Sequence, residues 1–144
     1  MLLLLAACGD KDKPSPTEAA PVCPSAAPTA CFERGMSLLG FQPKAAVEAL
    51  RRACDQGHGA GCNNLAQQWE DGDGVAKNLV EASAHYEKAC QYKSPEGCAN
   101  LSRLLRRQRP EDKAASYAAD DAGCQLGHAE CCYRVGNARA QGLG

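Results

Sequence analysis

Two stretches, RACDQGHGAGCNNL at residues 52–65 and KACQYKSPEGCANL at residues 88–101, decide the fold of this chain. In each, Lys or Arg and then Ala precede a first cysteine, and a second cysteine follows after seven intervening residues. In one unbroken helix these cysteines would lie about 12 Å apart, whereas a disulfide joins Cα atoms about 4.4 to 6.8 Å apart. Turn-forming residues such as Gly57 and Pro95 lie between them. The spacing therefore predicts two helices joined by a turn that a disulfide closes.

The Cys-x7-Cys spacing occurs four times and uses eight of the ten cysteines. The predicted disulfide pairs are Cys23 with Cys31, Cys54 with Cys62, Cys90 with Cys98, and Cys124 with Cys132. The first cysteines recur at intervals of 31 to 36 residues, a period that is typical of stacked helical hairpins. Such a high density of cysteines favours an oxidising compartment, because cytosolic thiols are kept reduced.

Metal binding is the alternative interpretation of the last cysteine pair. Cys124, His128, Cys131 and Cys132 lie close together, but the Cys-x2-4-Cys spacing that zinc sites favour does not occur in the sequence. We therefore expect neither a metal nor a cofactor. Cys131 stands where two other repeats have Gly61 and Gly97. The sequence leaves open whether it is a free thiol, forms an intermolecular disulfide, or competes with Cys132 for Cys124.

The composition favours helices and excludes several classes of function. The chain contains 26 alanines and no isoleucine, which is a helix-forming composition. Its 144 residues exclude a large multidomain enzyme. A net charge of -1 provides no basic excess for binding nucleic acid. The one basic cluster, RLLRRQR at residues 103–109, is expected to be a solvated helix end.

The amino terminus contains a candidate lipidation site. Residues 1–8 read MLLLLAAC and resemble the end of a bacterial lipoprotein signal, in which the lipobox cysteine, here Cys8, is lipidated and becomes the first mature residue. The resemblance is incomplete because no Lys or Arg precedes the apolar run, which is also short. Residues 9–30 are rich in Pro and Ala, and we expect them to be a disordered tether. Residues 31–144 are then the repeat domain.

Some recurring residues predict details of the repeat. Asn78 precedes a helical pattern and is a predicted N-cap. In the third repeat Asp120 stands where the second has Tyr86, and Gly123 stands where the second has Ala89. We therefore expect the second helix of the third repeat to pack more loosely than its counterpart.

The repeated elements resemble the Sel1-like repeat, a relative of the tetratricopeptide repeat, and in particular its cysteine-rich bacterial subgroup of Hcp type. The resemblance covers about residues 31–144 and rests on the Lys/Arg-Ala-Cys, Gly-Cys-x2-Leu and Gly-x-Gly-Val elements. It implies an all-α fold, a right-handed α/α solenoid of about three and a half disulfide-linked helix-turn-helix repeats. It also implies secretion, and binding of a protein or ligand through a concave groove lined by first helices. With a lipid on Cys8, the chain is expected to be attached to the bacterial cell envelope.

Candidate binding residues lie on the first helices, facing away from the apolar stripes that stack the repeats. Carboxamides both donate and accept hydrogen bonds, and arginines bind carboxylates through parallel bonds. A row of such groups is suited to an extended protein or peptide segment, a chain-terminal carboxylate or a peptidoglycan fragment. The alternative is an ordinary solvated helix face. The candidate groove residues are Asn64, Asn100, Arg103, Arg134 and Asn137.

An enzymatic function is the alternative to binding, because some relatives in the resembled family carry a β-lactamase or penicillin-binding label. An acylating serine enzyme of that kind needs Ser-x-x-Lys, and no serine here has a lysine three residues later. His58, His85 and His128 are scattered over separate repeats and do not form a metal-binding cluster. The sequence therefore favours a non-catalytic scaffold that contacts a membrane only through the lipid on Cys8.

Overall fold

The structure, a computed structural model, describes Cys23 and residues 27–142, and the described part of the chain consists of helices and turns without β-strands. Three helix-turn-helix pairs are followed by a seventh helix, which makes three and a half repeats in this part. The predicted all-α solenoid is thus confirmed. The helices are α1 (Pro28–Leu38), α2 (Pro43–Asp55), α3 (Gly59–Asp71), α4 (Leu79–Gln91), α5 (Pro95–Gln108), α6 (Lys113–Gln125) and α7 (Ala129–Ala140).

Helix α1 begins within the segment that the composition assigns to the tether. Pro28 is its first residue, so residues 28–30 are helical. Proline is favoured at this position because its missing N–H has no partner within a helix. The predicted lipidation of Cys8, the signal remnant at residues 1–8 and most of the tether lie outside the described residues. Within the part that the structure describes, no helix is long and apolar enough to cross a membrane.

Each helix packs against the next one along the chain. Helix α3 also contacts α5, and α4 contacts α6. The first helices of the repeats (α1, α3, α5 and α7) therefore share one side of the stack, and the second helices (α2, α4 and α6) share the other. This is the arrangement expected of a helical solenoid, in which each repeat buries its apolar face against its neighbours.

The turn between repeats has one backbone conformation in all three copies. The third residue after the first cysteine has a positive φ, at Gly57 (84°), Lys93 (63°) and Gly127 (88°). The next residue caps the following helix in two copies. His58 Nδ1 accepts a hydrogen bond from Gly61 N at 3.0 Å, and Ser94 Oγ accepts one from the backbone N–H three residues later. The positive-φ residue and the cap that follows it therefore mark the beginning of the next repeat.

The predicted cap at Asn78 is also confirmed. Its side-chain oxygen accepts hydrogen bonds from the N–H groups of Val80 and Glu81. These are among the N–H groups that have no acceptor within their own helix, so the cap fixes the first residue of α4. Gly72 follows the last residue of α3, and its φ of 80° favours glycine.

All four predicted disulfides are present, with Cα separations of 4.5 to 5.0 Å. Three of them join the end of a second helix to the beginning of the next first helix. In the chain-entropy description each such crosslink stabilises the fold by about 2 to 3 kcal/mol, because it reduces the conformational entropy of the unfolded chain. Disulfides in this number are typical of an oxidising, extracytoplasmic environment.

A reciprocal exchange of side chains explains Cys131. Gly97 faces Ala89 so closely that a Cβ added at residue 97 would lie 2.5 Å from the Ala89 Cβ. At the next junction Gly123 replaces the alanine and Cys131 replaces the glycine, and a Cβ added at residue 123 would lie 2.7 Å from Cys131 Sγ. Cys131 is therefore a buried free thiol that fills this space, and its burial raises its pKa.

Within the described ranges no three His, Cys, Asp or Glu residues form a metal-binding group.

Candidate binding groove

A groove of about 600 Å³, here called the first-helix groove, lies among α3, α5 and α7. Carboxamide, guanidinium and carboxylate groups make up most of its lining, together with His128, the residue before α7. A ligand would therefore be held mainly through hydrogen bonds and charge. The lining residues are Asn63, Gln67, Glu96, Ala99, Asn100, Arg103, Arg106, His128, Glu130 and Arg134.

The structure brings three of the five candidate groove residues together. Asn100, Arg103 and Arg134 line the first-helix groove. Asn64 lies outside this lining, and its side-chain nitrogen donates to the carbonyl of Ala60, one turn earlier in α3. Asn137 is exposed on α7, also outside the lining.

Two asparagines connect neighbouring repeats within the groove. Asn100 Nδ2 on α5 donates to Asn63 Oδ1 on α3 at 2.9 Å. Each carboxamide has two donor hydrogens and one acceptor oxygen, so this bond uses only part of their capacity. The remaining groups provide both a donor and an acceptor, as the backbone of an extended peptide requires.

A buried carboxylate next to the groove organises the contact between α3 and α5. Glu70, which is 8% exposed, accepts two hydrogen bonds from Arg103, Nη1 to Oε1 at 2.9 Å and Nη2 to Oε2 at 2.7 Å. Arg107 Nη1 donates to Oε1 at 2.9 Å, and the hydroxyl of Tyr86 donates to Oε2 at 2.9 Å. Because Glu70 and the arginines belong to successive repeats, this cluster fixes the register in which the two repeats stack.

These contacts shift the pKa values of Glu70 and Tyr86 in opposite directions. The hydrogen bond from Arg103 is the largest influence on Glu70 and, with those from Tyr86 and Arg107, lowers its pKa from 4.5 to about 2 although burial acts in the opposite direction. Burial, and then the Glu70 carboxylate, raises the pKa of Tyr86. At neutral pH the carboxylate is therefore charged and the phenol neutral, as their hydrogen bond requires.

A second buried carboxylate connects α5, α6 and α7. Asp120 is 3% exposed. Arg106 Nη1 donates to its Oδ2 at 3.0 Å, and Arg134 Nε donates to its Oδ1 at 2.9 Å. Arg106 Nη2 also donates to Ser102 Oγ at 2.7 Å, and that hydroxyl donates to the carbonyl of Ser116 at 2.9 Å. The looser junction predicted for the third repeat thus contains an ion-paired polar network.

Sequence reasoning missed these two clusters, and it assigned the basic run at the end of α5 to solvent. Arg103, Arg106 and Arg107 are exposed there, as expected, but each also forms an ion pair with Glu70 or Asp120. One signal was available in the sequence. Glu70 and Arg106 both lie eight residues after the second cysteine of their repeats, and Asp120 occupies the repeat position of Tyr86. An alignment of the repeats against one another would have shown both changes.

Several proteins of known structure are similar to this chain, and three of them are described here. A Sel1 repeat protein from Oxalobacter formigenes superposes with a TM-score of 0.71 at 22% identity, over 81% of this chain and 51% of its own. Cysteine rich protein B of Helicobacter pylori gives 0.64 at 24% identity, over 73% of this chain and 86% of its own. A protective antigen of uropathogenic Escherichia coli strains, described as displaying an SLR fold, gives 0.68 at 27% identity, over 81% of this chain and 27% of its own.

These similarities concern the repeat fold. This chain spans about half the length of the Oxalobacter protein and about a quarter of the Escherichia antigen. No family model matches the sequence, and no curated protein matches it.

Proposed function

Because this chain has the disulfide-linked Sel1-like repeat fold, we propose that it is a non-catalytic scaffold that binds a protein or peptide partner in the first-helix groove. It acts outside the cytosol, secreted or attached to the cell envelope by a lipid on Cys8. Binding through surfaces of stacked repeats is the common use of such solenoids. The four disulfides support the location, since they persist in oxidising compartments.

The chemistry of the groove supports an extended segment as the ligand. Glu70 and Asp120 neutralise much of the charge of the arginines, and Glu96 and Glu130 add acidic groups to the lining. The groove is therefore not a strong anion site. Its distinctive feature is the amide pair of Asn63 and Asn100, which the backbone of an extended chain would match with its own N–H and C=O groups.

The arginines add a preference for acidic groups along that segment. The side chains of Arg103 and Arg106 remain 44% and 41% exposed while their ion pairs hold them in place. A guanidinium that is already ordered loses little conformational freedom on binding a carboxylate. A carboxylate of the peptide, in a side chain or at its end, can therefore pair with these arginines with little further loss of conformational freedom. A peptidoglycan fragment, which combines peptide amides and carboxylates, belongs to the same chemistry.

The hydrolase alternative gains no support from the groove. Among the described residues that line it there is no serine, threonine or cysteine to act as a nucleophile. We therefore do not propose it. A chromogenic β-lactam assay on the oxidised protein gives an independent measurement, and turnover above the rate of the reduced, unfolded chain would reopen the question.

Selection from a random peptide library tests the proposed binding. The oxidised chain is used as the target, and the affinities of the selected peptides are measured for variants. We expect Asn100→Ala to weaken binding about tenfold, because one hydrogen bond to a partly buried amide is lost. Arg103→Ala should weaken acidic peptides more than neutral ones. Arg109→Ala is the matched control, since this exposed arginine on the same helix end is not part of the groove lining.

The proposal fails if the selected peptides bind all three variants and the parent protein equally.

The attachment to a membrane is tested separately. Cells expressing the chain are labelled with an alkyne fatty acid, and Cys8→Ser is expected to abolish the incorporated label while leaving peptide binding unchanged. A label that persists in Cys8→Ser would exclude lipidation at this residue.

A further inference from the structure

The junction between the second and third repeats is filled by an apolar cluster that its counterpart one repeat later lacks. The cluster consists of the buried residues Ala66, Ala82, Tyr86 and Leu104. Counting from the repeat cysteines, the equivalent residues one repeat later are Ser102, Ser116, Asp120 and Ala138. Every one of them is smaller or more polar than its counterpart. The space that Tyr86 and Leu104 fill at the first of these junctions is therefore filled by less apolar volume at the second.

A cavity of about 720 Å³, here called the α6–α7 cavity, lies between α6 and α7 at this position. Asp120 and Ala138, which replace the tyrosine and the leucine, both line it. Further walls come from Pro110, Ala114 and Tyr117, so the cavity combines apolar sides with a polar end. This combination is typical of small-ligand and side-chain binding pockets.

The polar end has the same chemistry as the site that Tyr86 occupies in the preceding repeat. There the tyrosine hydroxyl donates to Glu70, a buried carboxylate that also accepts hydrogen bonds from two arginines. In the α6–α7 cavity Asp120 is likewise buried and accepts from two arginines, Arg106 and Arg134. A carboxylate oxygen accommodates two donors, and Oδ2 of Asp120 accepts from Arg106 Nη1 at 3.0 Å. It can therefore accept a hydroxyl as well, as Oε2 of Glu70 does.

We propose that the α6–α7 cavity binds a phenol group, with its ring in the space that corresponds to Tyr86 and Leu104 and its hydroxyl donating to Asp120. The phenol belongs to a tyrosine side chain of a bound segment or to a free phenolic compound. This inference goes beyond the proposed function and does not depend on it, because a small phenol reaches the cavity without a peptide in the groove. Arg106 and Arg134 line both sites, however, so a tyrosine of a groove-bound segment is within reach.

Nuclear magnetic resonance titrations of the oxidised full chain test the proposal. The ligands are N-acetyltyrosine amide, N-acetylphenylalanine amide, p-cresol and 4-methylbenzoate. We expect the tyrosine derivative to shift backbone amide resonances of α6 and α7 and to bind about tenfold more tightly than the phenylalanine derivative, because a hydrogen bond to a buried carboxylate is lost without the hydroxyl. Equal affinity of p-cresol and the tyrosine derivative indicates a free phenol, and tighter binding of the tyrosine derivative indicates a peptide. Both results support the proposal.

Two variants locate the binding. Ala138→Leu introduces the side chain that Leu104 contributes one repeat earlier, and it is expected to abolish phenol binding by filling the cavity. Ala140→Leu is the matched control, because this residue is exposed on the same helix and does not line the cavity. Circular dichroism checks that both variants are folded. Equal affinities of the tyrosine and phenylalanine derivatives, tighter binding of 4-methylbenzoate than of p-cresol, or unchanged binding in Ala138→Leu would each overturn the proposal.

Discussion

Replacing Glu70 with glutamine should change the acid stability of the protein in a defined way. The substitution keeps the shape of the side chain and removes the negative charge that Arg103 and Arg107 share. The hydroxyl of Tyr86 still finds an oxygen acceptor. The variant therefore keeps the packing, but it removes the negative charge and replaces one oxygen that accepts from arginine with an N–H donor.

The size of the effect follows from the pKa of Glu70. Its lowering from 4.5 to about 2 on folding corresponds to about 3 kcal/mol, at about 1.36 kcal/mol per pKa unit. A carboxyl group with a lowered pKa in the folded state stabilises the protein above its unfolded pKa. This contribution is lost as the pH falls from about 4.5 toward 2. We therefore expect Glu70→Gln to be about 3 kcal/mol less stable than the parent at pH 6, and the difference to shrink in that pH range.

Urea unfolding followed by circular dichroism, with the disulfides intact, measures the free energy of unfolding at pH 6, 4.5, 3.5 and 2.5. Glu111→Gln is the matched control, since Glu111 is exposed and forms no ion pair among the described residues. Its stability should follow that of the parent at every pH. A difference between Glu70→Gln and the parent that stays constant from pH 6 to pH 2.5 would refute the reasoning, because it would mean that Glu70 takes up its proton at the same pH in both states.

Three further predictions concern the repeat junctions. Complete reduction removes four crosslinks worth about 2 to 3 kcal/mol each, so the reduced chain should lose most of its helical circular dichroism at 25 °C; retention of the full signal would contradict the role of the disulfides. Gly97→Ala should cost about 1 to 3 kcal/mol in urea unfolding through the clash with Ala89, and adding Ala89→Gly should restore at least half of it. Lys93→Gly should raise the unfolding free energy by about 0.5 to 1 kcal/mol, because the residue has a φ of 63°, and a lower value would contradict this.

The features that the sequence predicts correctly are those that depend on neighbouring residues. The two cysteines of each pair are close in the chain, and a turn between them brings their Cα atoms within the range of a disulfide. The pairing therefore follows from geometry. The cap at Asn78 likewise depends on the residues directly after it. The contact between Glu70 and Arg103 joins residues 33 apart and depends on the register of two stacked helices. Charge alone does not select that partner, since several basic residues of α5 are equally near in sequence.

Changes between the repeats of this chain occur in compensating pairs, and this explains where a cavity can arise. The alanine and glycine of one junction become Gly123 and Cys131 in the next, and their combined volume fills the space again. The tyrosine and the acid of the second repeat become Asp120 and Arg106, which keeps one buried carboxylate paired with arginines but loses apolar volume. In a solenoid each junction contributes to stability through its nearest neighbours, so the well-filled junction around Tyr86 stabilises its own repeats whatever the next junction contains. Loss of apolar volume is therefore tolerated at a junction that ion pairs still hold in register, and that is where this fold can acquire a binding pocket without rearranging its helices.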